Sequence, residues 1–97
     1  MGRTPLALEG CHVLVVDDDG DARSLMTTVL RYHGALVTAM ASATEALRRL
    51  ERTQPDVVIC DVAMPEHDGY WLVREFRRRF PERRRQTAIR SLLTRPI

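Results

Sequence analysis

Val13-Leu14-Val15-Val16-Asp17-Asp18 and Val57-Val58-Ile59-Cys60-Asp61 decide how this sequence is read. Each is a short apolar run that ends in aspartate. Uninterrupted aliphatic runs fit strands covered on both faces, as in a parallel sheet. Parallel strands deliver their C-terminal residues to one rim, where open α/β folds place their sites. Asp17, Asp18 and Asp61 are therefore expected to converge. Three carboxylates brought together repel one another, so either their pKa values rise or a hard, oxygen-seeking cation such as Mg2+ neutralises them.

The segments around these runs alternate regularly. Beyond the first strand, near His12 to Val16, the stretch from Asp21 to about His33 carries Leu25, Met26, Val29 and Leu30 in one stripe at helical spacing. Gly34 supplies the left-handed stop. Leu36 to Met40 reads as a second strand, and Ser42-Ala43-Thr44-Glu45 as a capping box opening a helix. That helix buries Ala43, Ala46, Leu47 and Leu50 and turns Arg48, Arg49 and Arg52 outward. Pro55 and Asp56 punctuate the chain before the third strand. Behind Asp61 comes the turn-rich Val62-Ala63-Met64-Pro65-Glu66-His67-Asp68-Gly69. A helix from about Tyr70 to Phe80 follows, with Leu72, Val73, Phe76 and Phe80 inward. The order is βαβαβα, and right-handed crossovers divide the helices between the two faces of the sheet.

Composition narrows the function classes. At 97 residues the chain is one domain, with 44% apolar and 29% charged residues, ordinary for a globular protein and too apolar for a disordered one. The net charge is only +2, yet all 15 basic residues are arginine and lysine is absent. No signal peptide is visible in Met1 to Gly10, and no run reaches membrane-spanning length. Cys11 and Cys60 fall at opposite ends of neighbouring parallel strands and read as small buried hydrophobes in a reducing cytoplasm rather than as a disulfide. Arg77-Arg78-Arg79 and Arg83-Arg84-Arg85 are interspersed with Glu75 and Glu82. They read as a solvated helix face and end, not as a nucleic-acid surface. His12, His33 and His67 lack metal-ligand spacing with one another. Trp71 reads as either a packing or a partner-contact residue.

Val15-Val16-Asp17-Asp18, Asp61, and Met64-Pro65 followed by Asp68-Gly69 together resemble the receiver domain of bacterial two-component response regulators. The match covers roughly residues 11–80, with 1–10 an N-terminal extension and 81–97 a divergent tail. The resemblance implies a flavodoxin-like α/β fold, an open parallel sheet with helices on both faces. Here it is expected to be incomplete, with about three βα units plus a fourth strand. It further implies that Asp61 is the phosphoacceptor, attacking a phosphohistidine on a histidine kinase or histidine phosphotransfer protein. Asp17, Asp18, the Asp61 carboxylate and the backbone carbonyl of Ala63 would hold Mg2+. Such a chain is a phosphoacceptor, not an enzyme, with no more than self-catalysed phosphoryl transfer and autodephosphorylation.

The tail has two alignments. By spacing from Asp61, Ser91 to Thr94 resembles the family's fourth strand, which makes Thr94 a candidate switch hydroxyl. By motif, Leu93-Thr94-Arg95-Pro96-Ile97 resembles the end of the fifth. The short connector over 81–86 favours the fourth position. Neither alignment supplies the family's phosphate-binding lysine, and Arg95 is a planar guanidinium rather than a compact ammonium. If the chain is shortened, an unpaired edge strand and an uncovered first helix, with Leu25 and Val29 open, predict a homodimer. The competing class is a non-signalling pseudo-receiver or decoy module that keeps the acidic pocket. Val15-Val16-Asp17-Asp18-Asp19-Gly20 also resembles the first motif of haloacid-dehalogenase phosphatases, with Asp19 as acid/base, but that reading leaves Asp61 unexplained. An EF-hand reading fails because the twelfth loop position is Thr28.

Overall fold

Gly34 and Asp56 show how the local sequence sets the frame of this protein. A computed structural model describes residues 6–61, 64, 67–83 and 88–92. Gly34 follows the first helix with φ +97, and a Cβ there would come within 2.9 Å of the Leu6 side chain and 3.1 Å of the Glu9 amide. Only glycine satisfies both the left-handed turn and the close approach. Asp56 accepts a hydrogen bond from the His12 amide through its carboxylate at 2.8 Å and donates its own amide to the His12 carbonyl at 2.9 Å. That reciprocal pair aligns the starts of two strands.

The elements run β1 (His12–Val16), α1 (Gly20–Tyr32), β2 (Leu36–Met40), α2 (Ala43–Leu50), β3 (Val57–Asp61), α3 (Gly69–Arg79), a 3-10 turn over Pro81–Arg83, and β4 (Ala88–Leu92). Among the described residues they form a four-stranded parallel sheet in the order β2-β1-β3-β4. The tail thus lies beside β3, with Cys60 opposite Ser91 and Asp61 opposite Leu92. This is the fourth-strand position that the short connector favours. The fold is the expected flavodoxin-like one, incomplete on the side of β4.

Successive strand residues point to opposite faces, and the two faces are unequal. On one, α2 and α3 cover Leu14, Val16, Val58 and Cys60 with Ala43, Ala46, Leu47, Leu50, Leu72 and Phe76. The predicted buried face of α2 is reproduced in full. On the other, α1 meets the sheet with Leu8 and Cys11 packed beside it, and among the described residues Val13, Val15 and Ala35 are the fully buried ones there. Val57 and Ile59 are partly open on that face, and α1 buries none of its residues completely. Met26 and Leu30 pack inward, whereas Leu25 is 67% exposed and Val29 45%. The apolar stripe of α1 is thus wider than the surface it covers.

Two details depart from the sequence reading. Val73 is only half-buried, whereas Phe80, also half-buried, packs against the larger core as expected. Arg83 does not belong to a solvated helix end. Its guanidinium donates to the carbonyls of Leu50 and Thr53, the latter at 2.7 Å, and lies 4.9 Å from the Phe80 ring centroid and 5.5 Å from that of Phe76. Arg84 and Arg85 lie outside the described residues.

Candidate functional site

The register of β1 on β3 builds the acidic site. Val16 stands opposite Cys60, so Asp17 and Asp61, each the next residue along, emerge side by side at the C-terminal rim. The Asp17 amide donates to the Met40 carbonyl at 3.1 Å, which carries the sheet pairing one residue past β1. Asp17 and Asp61 are buried, at 7% and 3% exposure, while Asp18 faces outward. Ligand oxygens from Asp17, Asp18 and Asp61 all lie within 4.8 Å of one another. The structure therefore brings together the three carboxylates that the sequence singled out. Ala63 and Thr94, the other two candidates, lie outside the described residues.

Burial is the first cause of a raised Asp17 pKa, and the neighbouring charges of Asp61, Asp18 and Asp19 add to it. A hydrogen bond from the Asp19 amide to Asp17 Oδ1, at 2.9 Å, acts in the opposite direction without cancelling the rise. Cys60, directly beneath Asp61, has its thiol pushed up to about 12 by burial and by the Asp61, Asp68 and Asp17 charges. That group is a packed hydrophobe and not a nucleophile. Cys11 is also a free thiol.

Asp19 is the N-cap of α1 and accepts from the amides of Asp21 and Ala22 at 3.0 and 3.3 Å. The cap of α1 therefore belongs to Asp19, with Asp21 in the first turn. Asp68 caps α3 in the same way, accepting from the Trp71 amide at 2.9 Å. Both loops that border the site thus end in an aspartate fixed on a helix N-terminus.

A residue that the sequence reading passed over is Arg23. Its Nη1 donates to the Asp17 carbonyl at 2.7 Å, from one turn inside α1. The signal was the six-residue spacing from Asp17 into the first turn of an N-capped helix, which brings a long side chain back over the loop. A second unforeseen feature is the stack of His67 on Trp71, with ring centroids 4.0 Å apart and planes 13° from parallel. A cavity of about 250 Å3 opens beside Asp18, between the β2–α2 turn and Met64 and His67.

Residues 13–89 fit the family described as the response regulator receiver domain. This chain belongs to that family. Such receiver domains are found in two-component response regulators and in histidine kinases. The receiver domain is 51% identical over 61 residues, 63% of its length, to an uncharacterized 14.6 kDa protein of Leptolyngbya boryana, of which it covers 47%. It spans between 15% and 47% of the length of several curated relatives that it matches. Among solved structures, the Mg2+ complex of the receiver domain of the histidine kinase CKI1 from Arabidopsis thaliana aligns with a TM-score of 0.86 at 29% identity. That alignment covers 96% of this chain and 74% of the other. The receiver domain of the sensor histidine kinase PA1611 from Pseudomonas aeruginosa, with magnesium in its active-site cleft, aligns with a TM-score of 0.72 at 31% identity. The shares covered are 82% and 66%.

The donor set fits a divalent cation. It is all oxygen, it is anionic, and its members are close enough to share one ion of the hard kind that carboxylates prefer.

Proposed function

We propose that this receiver domain accepts a phosphoryl group on Asp61 from a histidine kinase or histidine phosphotransfer protein, in a Mg2+-dependent step of a phosphorelay. The observation that carries the reading is the convergence of Asp17, Asp18 and Asp61 at one rim, with Asp61 almost wholly buried beside Asp17. The Mg2+ held by the two neighbouring receiver domains supports it. Asp17, Asp18 and Asp61 would hold the ion, together with the carbonyl of Ala63. When bound, it neutralises charge on the transferred group and on the carboxylates.

The residues of the chain do the rest. Asp61 supplies the attacking carboxylate oxygen; its bond to phosphorus forms as the phosphorus–nitrogen bond of the donor breaks, and the departing imidazole takes a proton from solvent. The Asp56–His12 pair and the β1/β3 register hold Asp61 at a fixed distance from Asp17. Arg23 holds the Asp17 carbonyl, and the Asp19 amide orients the Asp17 carboxylate. Burial of Asp61 limits the water that would hydrolyse the product. Thr94 is assigned as a hydroxyl contact to the phosphoryl group. The chain is then a phosphoacceptor and not an enzyme acting on a separate substrate. Its location is cytoplasmic, where the free thiols Cys11 and Cys60 stay reduced.

A second reading, a non-signalling module that keeps the pocket, is favoured by one observation: none of the 97 residues is lysine, so the family's phosphate-binding ammonium has no counterpart in this sequence. Intact mass after incubation with a small phosphodonor and Mg2+ separates the two. One added phosphate on the wild type, absent from Asp61→Asn and absent when Mg2+ is chelated, is the expected result. No added phosphate at saturating donor would overturn the phosphoacceptor reading and leave the module. We also infer self-association into a homodimer through the open face of α1 or an edge strand, on the exposure of Leu25, Val29 and Tyr32.

A further inference from the structure

Between α2 and α3, adjoining the cavity beside Asp18 through His67, lies an open groove of about 760 Å3 lined by Arg48, Arg49, Arg52 and Arg79 together with His67 and Trp71. Small-molecule sites fall in the range of about 300–1,000 Å3. Its charge is unbalanced. Glu45 and Glu51 are the acidic groups on the same walls, so four arginines against two glutamates leave +2. Arg79 is already fixed, 3.2 Å from Glu51 and 3.6 Å from Glu75. Among the described residues Arg48, Arg49 and Arg52 form no ion pair, although Glu45 and Arg49 stand at the i,i+4 spacing that would permit one.

A helix face intended only for solvent gains from pairing opposite charges at that spacing, and like charges there cost a few tenths of a kcal/mol. Arg48 and Arg52 stand in that unfavourable relation on α2 and its C-terminal end. The helix dipole offsets part of the cost, because cations are favoured in the last turn. It does not explain why a fourth guanidinium and Trp71 from α3, with His67 from the loop before it, line the same hollow. Planar guanidinium forks match phosphate oxygens two at a time, more closely than any other cationic side chain does.

We propose that this groove is a binding site for a small polyphosphate anion, held by Arg48, Arg49 and Arg52 against the fixed Arg79, beside the His67–Trp71 stack. The anion is either a bare phosphate chain or the phosphate chain of a nucleotide. None of Asp17, Asp18 and Asp61 lines the groove, so its test needs no Mg2+ and does not depend on phosphorylation of Asp61.

Trp71 is the single tryptophan of the chain and reports from within the groove. Its emission is followed while tripolyphosphate is added to the full chain without Mg2+, with sulfate at matched ionic strength as control. The expected result is a saturable change with tripolyphosphate only, half-saturated in the micromolar range. In Arg48→Ala/Arg52→Ala the midpoint rises at least tenfold, while Arg77→Ala, on the exposed outer face of α3, leaves it unchanged. The substituted arginines are exposed, so both variants retain the wild-type far-ultraviolet dichroism. Calorimetric competition with ATP then distinguishes the sources: tighter ATP binding identifies a nucleotide, equal binding the phosphate chain alone. A change that sulfate reproduces, or a midpoint unaffected by Arg48→Ala/Arg52→Ala, overturns the site. Tighter saturation by hexaglutamate or by an oligothymidylate also overturns it, in favour of an acidic protein segment or a nucleic acid.

Discussion

Asp17 carries an electrostatic conflict at the acidic rim. It is buried, it is surrounded by carboxylates, and its pKa is raised. The sign of the consequence follows from linkage. Between the ordinary carboxylate pKa near 3.8 and the raised folded value, the folded chain binds more protons than the unfolded one. Stability contributed by this group is therefore full below pH 3.8 and is lost as pH rises through the folded pKa. In the metal-free fold the charged form of this carboxylate is poorly solvated and faces like charges. Asp17→Asn keeps the oxygen that accepts from the Asp19 amide and removes the charge. We expect this variant to melt a few degrees above wild type without metal. Millimolar Mg2+ should raise the melting temperature of wild type and leave that of Asp17→Asn unmoved. Because protons compete with the cation at Asp17, the Mg2+ shift of wild type should shrink as pH falls through the raised pKa. A Mg2+ shift that is unchanged in Asp17→Asn would show that the ion is held elsewhere. Little of this was hidden in the sequence. The three aspartates announce themselves by their positions after apolar runs, but which of them is buried follows from packing that no single residue encodes.

The helices were legible because their signals are local. Ser42 accepts from the Glu45 amide at 3.2 Å as the capping box requires, and the apolar spacing of α2 specifies its buried face. Arg83 was illegible for the opposite reason. It sits in a run of basic residues, and its partners, Leu50 and Thr53, are 33 and 30 positions away. At the level of elements it ties the 3-10 turn after α3 to the end of α2, supplying a cation and donors to carbonyls that the helix leaves without intrahelical partners. Hydrogen bonds from charged groups contribute about 1.5–3 kcal/mol each in favourable cases. Arg83 is partly exposed, and its buried Nε has no hydrogen-bond partner among the described residues. Arg83→Ala should therefore cost about 2–3 kcal/mol in chemical denaturation. Arg83→Lys retains the charge but not the fork, and should cost about 1–2 kcal/mol. A cost below about 0.5 kcal/mol for Arg83→Ala would show that the clamp is incidental. Leu50→Ala, beneath the same junction, should cost about 2–5 kcal/mol as a cavity in the larger core.

At the scale of the molecule the sheet is well covered on one face and thinly on the other. Parallel sheets are stable when both faces are covered. Among the described residues one helix lies over the second face of the four strands, where Ile59 and Val57 are partly buried and Leu25, Val29 and Tyr32 on the helix are exposed. Association through that surface should appear in sedimentation velocity as a shift from monomer to dimer between about 1 and 100 μM, the range of marginal interfaces. Leu25→Arg/Val29→Glu should hold the chain monomeric without loss of helix, since both side chains already face solvent. If wild type stays monomeric throughout, the exposed stripe is not a self-association surface. The β1/β3 register has a consequence of a different kind. A slip by one residue would carry Asp61 about 3.3 Å along the sheet and reverse the face of every β3 side chain. Misaligned chains therefore lack the three-carboxylate site altogether. Under the proposed Mg2+ binding, the ion would act as a census of correct alignment: its stoichiometry per chain would count the molecules that have refolded in register, and saturating ion would draw the population toward them by mass action.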